Sequence, residues 1–463
     1  MAVRILNHHI HSSIVLLALS EFGVLIGSVL AGVHLFPNGP ETGTVFSAGA
    51  RAAVYATALM LGLVSMGLYS TSLRVRFKSV LIRIAVGMGL GLILVILLFY
   101  FLPYLHLQPM ALFAAAVMSG AGLALLRATF FWFMDESVFK QRVLVYGAGR
   151  RAVSVEDLKR RRDRRGYQVV GFVATPGDIP AIDKNRIVFP HDGLDAFVRH
   201  HNIDEIVVAM DDRRQGFPME DFIQCRMRGV QITELVSFLE RESGRVQLDV
   251  IHPSWLVFSD GFRVSAMRGA TSRTTDLLVS LILLAGLWPL MLITALAIKL
   301  SEGLSAPVLY RQLRVGQHGH GFILYKFRTM RVDAEADGKA RWATSNDDRI
   351  TPLGRFLRRC RLDELPQFWN VLTGQMSLVG PRPERPEFVD QLTTTVPYYA
   401  ERHHVKPGLT GWAQLCYPYG ASEKDALEKL KFDLYYIKNH SLLFDLAIIL
   451  QTIEVVLWRK GSR

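Results

Sequence analysis

The first 138 residues contain four long apolar runs, and these runs constrain the fold more than any other feature of the sequence. Each run approaches or exceeds the roughly 20 residues that a helix needs to cross a hydrocarbon layer of about 30 Å. Only seven Lys or Arg and four Asp or Glu occur in this region, whereas the rest of the chain has the charge content of an ordinary globular protein. The sequence therefore predicts a four-helix transmembrane region over residues 1–138. The runs lie near 12–35, 52–71, 84–105 and 107–131.

The charges around these runs predict their orientation in the membrane. Four cations lie within 74–83, between the second and third runs, while the links 36–50 and 103–109 contain no Lys or Arg. A basic run, KRRRDRR, follows the fourth run at 159–165. By the positive-inside rule, the N-terminus, the 72–83 loop and everything after residue 135 are expected in the cytoplasm.

Glu21 is an acid inside the first apolar run. An acid at membrane depth is a candidate functional residue unless a partner neutralises it. The sequence indicates no basic partner on the neighbouring runs, and we therefore predict a packing or interfacial role rather than a proton relay.

The composition excludes several classes of protein. A net charge of +12 and 50% hydrophobic residues, distributed as described, argue against a wholly soluble protein, a disordered chain and a transporter that is polytopic from end to end. The three cysteines, Cys225, Cys360 and Cys416, have no metal-ligand spacing and indicate neither a disulfide scaffold nor a structural zinc site. They are typical of a reducing compartment.

From residue 142 the pattern changes to that of an α/β domain, which we predict over 139–265. Helical stretches fall between most of its apolar segments, as in a parallel sheet with crossover helices, and a Rossmann-like domain is expected. The predicted strands lie at 143–146, 169–174, 186–189, 205–210 and 230–235.

A glycine turn follows the first of these strands. Gly147-x-Gly149-x-x-Ala152 has the spacing at which a backbone approaches a pyrophosphate at a helix N-terminus. The acid that should follow the second strand and hold a ribose is missing, because Asp178 lies beyond a proline and a glycine. A dinucleotide site, a regulatory nucleotide or sugar-nucleotide site and a structural or dimerising domain all stay open, and the last is favoured. The basic run 159–165 has no interleaved aromatic residues, which favours a surface near anionic lipid over a nucleic-acid site.

A fifth apolar segment, Leu277 to Ile298, is long enough to span a membrane but is predicted not to do so. Pro289 lies near its middle and is expected to break the helix. Both flanks are basic, and a spanning helix would place one of them on the wrong side. We therefore predict a re-entrant membrane helix over 266–300 that enters the cytoplasmic leaflet, breaks at the proline and returns.

Residues 301–463 contain a dense series of motifs. KFRTM begins at Lys326, RLDELPQ at Arg361, GPRPE at Gly380 and PGLTGW at Pro407. In this order the motifs resemble the catalytic domain of the bacterial sugar transferases, the monotopic phosphoglycosyl transferases. The preceding helices and α/β domain resemble the large form that begins exopolysaccharide or O-antigen repeat units. The predicted fold is therefore a membrane protein of α and α/β type, with four transmembrane helices, a Rossmann-like domain and an α-rich catalytic domain with a re-entrant helix.

The acids of the RLDELPQ motif have a chemical rationale of their own. Asp363 and Glu364 are adjacent and follow several arginines, and two neighbouring carboxylates both stay ionised only where cations or a metal hold them. A phosphoryl-transfer site supplies both, because Mg²⁺ takes one or two carboxylates together with substrate phosphates. A carboxylate can also attack phosphorus, as in aspartyl-phosphate enzymes.

The resemblance implies roles for individual residues. Asp363 is the expected nucleophile, which forms a phospho-sugar intermediate, and Glu364 is the expected Mg²⁺ ligand. Arg361 departs from the family, where a small hydroxyl residue often precedes Leu-Asp-Glu, and it adds a charge beside the acids. The expected substrate-binding residues are Lys326, Arg328, Arg358, Arg382 and Glu384.

The implied reaction transfers a sugar-1-phosphate from a UDP-sugar to polyprenyl (undecaprenyl) phosphate at the cytoplasmic face of a bacterial inner membrane and releases UMP. The expected partners are these two substrates, membrane lipid and a second copy of the chain in a homodimer, with no nucleic acid. Two alternatives stay open: a nucleotide-dependent oxidoreductase or epimerase built on residues 140–260, and a non-catalytic scaffold for polysaccharide assembly. The first needs a ribose acid and a Tyr-x-x-x-Lys pair that the sequence does not indicate, and the second conflicts with the presence of both Asp363 and Glu364.

Overall fold

The chain forms two compact units, Met1–Pro253 and Ser254–Arg463, in a computed structural model. The first unit contains the predicted membrane helices and the α/β sheet, and the second contains the fifth apolar segment and the motifs. Residues 74–76 and 161–165, on which part of the predicted orientation depends, lie outside the described residues. The structure describes residues 2–5, 8–36, 48–69, 77–133, 140–160, 167–179, 181–212, 216–249, 266–332, 334, 348–417 and 422–457.

Five helices among the described residues are long and apolar enough to cross a membrane. Four of them lie in the first unit and coincide with the predicted runs, and the most apolar part of each has a mean hydropathy between 1.4 and 2.6. A hairpin of β1 (Ala2–Ile5) and β2 (His8–His11) precedes them. The four helices are α1 (Ser12–Leu35), α2 (Ala48–Ser65), α3 (Phe77–Phe101) and α4 (Pro109–Phe133).

Glu21 of α1 has a basic partner, so the prediction that it has none is wrong. Arg127 of α4 donates from Nε to Glu21 Oε1 at 2.5 Å and from Nη2 to Oε2 at 3.1 Å. The hydroxyl of Tyr69 also donates to Oε2, and Glu21 is fully buried. The two residues are 106 positions apart, so only the packing of α1 against α4 brings them together. The ion pair ties these two helices to each other, which is the packing role predicted for Glu21.

The α/β part of the first unit is a five-stranded parallel sheet with the order β5–β4–β3–β6–β7. All five strands lie where the sequence predicts them, within a few residues. Helices connect most of them: α5 (Arg150–Arg160), α6 (Leu194–His200) and α7 (Met219–Met227), with α8 (Leu235–Ser243) after the last strand. The strands are β3 (Gln141–Tyr146), β4 (Tyr167–Val173), β5 (Ile187–Val188), β6 (Glu205–Val208) and β7 (Gln231–Glu234).

Successive residues of the central strand face opposite sides of the sheet, and each side has its own apolar core. Val143 and Val145 belong to a core that includes residues of α5 and α8. Leu144 belongs to a second core, which includes residues of α6 and α7. Because a strand that is apolar on both faces needs cover on both, the continuous apolar runs of the sequence give a sheet between two layers of helices.

The fifth apolar helix, α9 (Ala266–Glu302), is continuous over 37 residues and contains Pro289. The predicted break at this proline is therefore wrong. A proline removes only one hydrogen bond from a helix, and a long helix whose other turns stay bonded bends at such a residue instead of ending.

Both halves of α9 contact other parts of the second unit, to which α9 itself belongs. In the first half, Arg273 donates to the carbonyl oxygens of Val371 and Leu372 at 2.6 and 2.7 Å. In the second half, Ile298 is buried in an apolar cluster with Phe327 and other residues of the same unit. Between these contacts lie exposed apolar side chains, among them Trp288, of which 59% is exposed. The exposed apolar middle of the helix is therefore suited to contact with lipid.

The rest of the second unit is mainly helical, as predicted for the catalytic domain. Strand β8 (Leu309–Val315) pairs with β9 (Gly321–Phe327) in an antiparallel hairpin, and β10 (Ser377–Val379) pairs in parallel with β11 (Gly408–Thr410). The helices are α10 (Pro352–Arg359), α11 (Gln367–Leu372), α12 (Pro386–Thr395), α13 (Trp412–Cys416), α14 (Glu423–Asn439) and α15 (Leu442–Leu457).

Candidate active site

Asp363 and Glu364 lie on a short 3-10 turn, Leu362–Glu364, between α10 and α11. Arg361 precedes this turn with a backbone φ of 59°, in the left-handed region, which a residue with a side chain adopts only when its surroundings hold it there. This conformation reverses the chain after α10. Asp363 is consequently buried, with 7% of its surface exposed.

Helix α10 is held directly against the KFRTM segment. A side chain at Gly354 would place its Cβ 2.0 Å from the carbonyl oxygen of Thr329, so the close approach requires glycine. One turn later, Arg358 donates from Nε to the Thr329 hydroxyl at 2.9 Å. Two motifs that are separated in the sequence, at 326–330 and 354–364, therefore form one structural element.

The Asp363 carboxylate is buried without full hydrogen bonding. Its Oδ1 atom has no hydrogen-bond partner among the described residues. Burial and the neighbouring carboxylate of Glu364 raise the pKa of Asp363 to about 6, against the opposing effect of Lys326 and Arg358. At neutral pH this side chain is therefore mainly ionised, although it is poorly solvated.

Glu364 is held in a different way from its neighbour. Its Oε1 accepts from Arg361 at 3.2 Å and from Arg382 at 3.1 Å. Burial acts to raise the pKa of Glu364, but these two guanidinium groups outweigh it and hold the pKa below its usual range. The turn thus carries one firmly ionised acid and one acid whose charge is poorly compensated.

The hairpin of β8 and β9 brings further cations to the site. Lys326 of β9 lies opposite Tyr310 of β8 in register, and its Nζ is 5.0 Å from the centre of the Tyr310 ring. Burial, together with the nearby Arg314 and Arg358, lowers the pKa of Lys326 to about 8. Asp363 also interacts with this ammonium group and favours its charged form.

A cavity of about 340 Å³ opens between these elements, and seven arginines and Lys326 line it. Among the described residues, Glu384 is the only acid in the lining, and its carboxylate is 3.6 Å from Nη1 of Arg314. Asp363 and Glu364 are not part of the lining. Arg382 connects the cavity to these acids, because it lines the cavity and donates to Glu364. Such a lining suits a ligand with several negative charges, such as a diphosphate.

The structure brings together every residue that the sequence analysis predicts for the site. The five predicted substrate-binding residues all line the cavity. Arg328 is fixed by a hydrogen bond from Nε to the carbonyl of Pro307 at 3.0 Å, and Arg382 also donates to Gln414. Arg361, predicted to add charge beside the acids, forms an ion pair with Glu364.

The prediction missed several cavity residues. Tyr310, Gln312 and Arg314 alternate along β8 and all line the cavity, and Arg314 donates to Gln312 and to the carbonyl of Pro383. Polar residues at every second position of a strand occupy one of its faces, so the pattern in the sequence could have indicated them. Three arginines of the lining outside β8 were missed as well: Arg331, Arg349 and Arg385.

The two acids are compatible with a bound Mg²⁺. Among the described residues there is no cluster of three or more His, Cys, Asp or Glu that could hold a metal. Mg²⁺ does not require one, because it usually keeps several waters and combines one or two carboxylates with substrate phosphates. The unpartnered Oδ1 of Asp363 and the neighbouring Glu364 carboxylate meet that smaller requirement.

The sequence of the chain is similar to those of known sugar-phosphate transferases. The family model described as bacterial sugar transferase matches residues 267–459, which include all of α9 except its first residue and every residue of the site. A UDP-glucose:undecaprenyl-phosphate glucose-1-phosphate transferase of Xanthomonas campestris pv. campestris is 32% identical over 367 residues, which are 74% of this chain and 72% of that protein.

Two further relatives align over shorter regions. A UDP-N-acetylgalactosamine-undecaprenyl-phosphate N-acetylgalactosaminephosphotransferase of Aeromonas hydrophila is 39% identical over 56% of this chain and 60% of its own length. A UDP-glucose:undecaprenyl-phosphate glucose-1-phosphate transferase of Escherichia coli (strain K12) is 43% identical over 41% of each chain. These two alignments span less than two thirds of the relatives, and the printed names differ in the sugar.

Proposed function

The chain belongs to the bacterial sugar transferase family, and we propose that it transfers a sugar-1-phosphate from a UDP-sugar to undecaprenyl phosphate, with release of UMP. This reaction would be the first step in assembling an exopolysaccharide or O-antigen repeat unit. The names of the relatives support the reaction class. The observation that carries the proposal is the buried Asp363 carboxylate with an unpartnered oxygen beside a cavity lined by cations.

The first step would be attack of an Asp363 carboxylate oxygen on the phosphorus that bears the sugar. A bond forms from this oxygen to phosphorus, the bond from phosphorus to the bridging oxygen breaks, and UMP leaves with that oxygen. In the second step a phosphate oxygen of undecaprenyl phosphate attacks the same phosphorus, and Asp363 leaves as a carboxylate. The products are undecaprenyl diphosphate sugar and a regenerated enzyme.

The cations of the cavity would stabilise the charge of the diphosphate as its bond loosens. Lys326, Arg358 and Arg382 lie next to the acids, and their positions are fixed by contacts with Tyr310, Thr329 and Glu364. Donors whose positions are already fixed stabilise developing charge more than mobile ones. A bound Mg²⁺, held by Glu364, would neutralise phosphate oxygens of the donor.

A purified full-length preparation in lipid nanodiscs tests the reaction. We expect UMP release with Mg²⁺, undecaprenyl phosphate and at least one member of a panel of UDP-hexoses and UDP-N-acetylhexosamines. Absence of UMP with every donor, in a preparation that binds a UDP-sugar, would favour the scaffold alternative over a transferase.

We further propose that α9 does not cross the membrane and that the catalytic residues face the cytoplasm of a bacterial inner membrane. The contacts of Arg273 and Ile298 with the same compact unit support this topology, because a spanning helix would hold its two ends on opposite sides of the bilayer. Single cysteines near Arg273 and near Arg311, in a cysteine-free background, should both react only with a reagent on the cytoplasmic side. Reaction of the second from outside would contradict the topology. Homodimerisation stays a prediction.

A further inference from the structure

The edge of the five-stranded sheet at the carboxyl ends of its strands is where a nucleotide would bind in a domain of this topology. The glycine turn after β3 lies there, at the start of the 11-residue helix α5. Strands β4 and β6 flank β3 on either side, and an acid follows each of them, Asp178 after β4 and Asp211 after β6.

The side-chain carboxylate of Asp211 lies at the N-terminus of α5. Its Oδ2 accepts from the backbone N–H of Arg150 at 3.0 Å, and its Oδ1 accepts from that of Arg151 at 2.9 Å. The next N–H, of Ala152, donates to the carbonyl of Gly149. These N–H groups are the donors that hold a phosphate at a helix N-terminus, and here the chain's own carboxylate accepts from two of them.

Asp178 closes the other side of the same turn. Its Oδ2 accepts from the backbone N–H of Ala148 at 2.8 Å and from the N–H and hydroxyl of Thr175 at 3.1 and 2.7 Å. Its Oδ1 accepts from the backbone N–H of Asp211 at 3.2 Å. Asp178 therefore does not hold a ribose, and it fastens Asp211 in position.

Gly149 shows how closely Asp211 approaches the turn. An added Cβ at Gly149 would lie 2.1 Å from Oδ2 and 2.5 Å from Cγ of Asp211. In a dinucleotide-binding turn, the second glycine lets the backbone approach the pyrophosphate. In this chain the same glycine makes room for a carboxylate.

We propose that the phosphate site of this α/β domain is filled by Asp178 and Asp211 and takes no nucleotide. Carboxylates accept hydrogen bonds from N–H groups as a phosphate does, and their negative charges repel an incoming diphosphate. The domain keeps the backbone of a nucleotide-binding fold but uses its anion site to join β4, β6 and α5. Removal of the Asp211 carboxylate reopens the site to a phosphate group.

Hydrogen–deuterium exchange of the full-length protein in nanodiscs tests this inference locally, because the amides of Arg150 and Arg151 report on the site. In the wild type, 5 mM pyrophosphate or NAD⁺ should leave their exchange unchanged. In Asp211→Ala these amides should exchange on the order of tenfold faster, and pyrophosphate should restore their protection. Asp192→Ala, at an exposed turn of the same domain, is the matched control and should resemble the wild type.

Protection of Arg150 and Arg151 by pyrophosphate or NAD⁺ in the wild type would overturn the proposal, whatever the variants do. The proposal would also be overturned if Asp211→Ala kept its β3 amides protected and pyrophosphate still gave no protection at the turn. Where Asp211→Ala also loses protection in β3, Asp211→Asn replaces it, since it keeps one acceptor and removes the charge. Failure of Asp211→Asn to gain protection from pyrophosphate would then count against the proposal. Binding of pyrophosphate in the catalytic cavity does not affect this local readout.

Discussion

The turn after β3 and the turn before α11 each place a carboxylate where phosphate chemistry could occur, but the two carboxylates are satisfied in different ways. Both oxygens of Asp211 accept from backbone N–H groups, whereas Oδ1 of Asp363 is buried with no hydrogen-bond partner in the part of the chain that the structure describes. Backbone donors fix the first carboxylate and satisfy each of its oxygens with one hydrogen bond. The second pays a desolvation cost that its neighbours do not fully offset, so it has more to gain from a metal ion or a phosphorus atom.

The groups that surround the acids also differ between the two turns. The cations next to Asp363 and Glu364 are side chains that also line an open cavity, so a ligand can share them. The donors to Asp178 and Asp211 are mostly main-chain groups of the turn itself. We infer that an acid bound by backbone joins elements of the fold, whereas an acid among side-chain cations at a cavity takes part in chemistry.

The largest effect is expected from neutralising the acid that lacks a partner. Asp363→Asn should lower the rate of UMP release by on the order of 1,000-fold or more, because an amide is a far weaker nucleophile. It should also abolish the phospho-sugar adduct that intact-protein mass spectrometry is expected to detect in the wild type. The matched control is Asp211→Asn, which should retain UMP release within a fewfold of the wild type. A near wild-type rate in Asp363→Asn, or a loss in Asp211→Asn as large as in Asp363→Asn, would break the comparison.

A smaller loss is expected when the neighbouring acid is neutralised. Glu364→Gln should reduce UMP release about 100-fold, because it removes a charge that would hold Mg²⁺ and is paired with Arg361 and Arg382. Raising Mg²⁺ from 1 to 50 mM should restore part of the rate in this variant and have little effect on Asp363→Asn. Wild-type activity that is indifferent to a chelator would remove the metal from the mechanism.

The contrast between these regions was only partly predictable from the sequence. Asp363, Glu364 and the cations around them could be predicted because they lie in short motifs, in which neighbouring residue types indicate the chemistry. The strands of the sheet could be predicted because buried parallel strands are continuous apolar runs. In both cases the informative residues are close together in the chain.

What could not be predicted depends on pairs that are distant in the chain. Asp211 accepts a hydrogen bond from Arg150, which lies 61 positions away in the chain, and Arg127 pairs with Glu21 over 106 positions. Local patterns do not record such pairing, which follows from how the elements pack. The continuity of α9 through Pro289 was missed for another reason, since the loss of one hydrogen bond does not by itself decide whether a helix bends or ends.

Deprotonation of Asp363 and deprotonation of Lys326 should have opposite effects on activity. In the proposed mechanism Asp363 is an ionised nucleophile, and because its pKa is about 6, kcat/KM should rise with pH up to that value. In the same mechanism Lys326 is a cation, and because its pKa is about 8, kcat/KM should fall above that value, by about tenfold per pH unit once well past it. Measurement of initial rates from pH 5 to 9 should therefore give a bell-shaped profile.

Replacement of the lysine identifies the falling limb of this profile. Lys326→Arg should keep activity at high pH, because a guanidinium group stays protonated throughout the range. Lys406→Arg is the matched control, since burial also lowers the pKa of Lys406 but this residue does not line the cavity. A falling limb that persists unchanged in Lys326→Arg would assign it to another group.

The smallest effect on catalysis is expected at the turn after β3, where a change should alter stability instead. Gly149→Ala puts a methyl group within 2.1 Å of the Asp211 carboxylate, so that Asp211 must move and its hydrogen bonds to the turn weaken. The free energy of unfolding should fall by roughly 1–3 kcal/mol, seen as a lower Tm of the full-length protein, while UMP release stays within about twofold of the wild type. Gly269→Ala, in α9 with open space around the added methyl, should leave Tm unchanged or slightly raised, because alanine favours a helix over glycine. If Gly149→Ala lowered UMP release as much as Glu364→Gln does, Asp211 would contribute to catalysis and the distinction between the two kinds of buried carboxylate would be wrong.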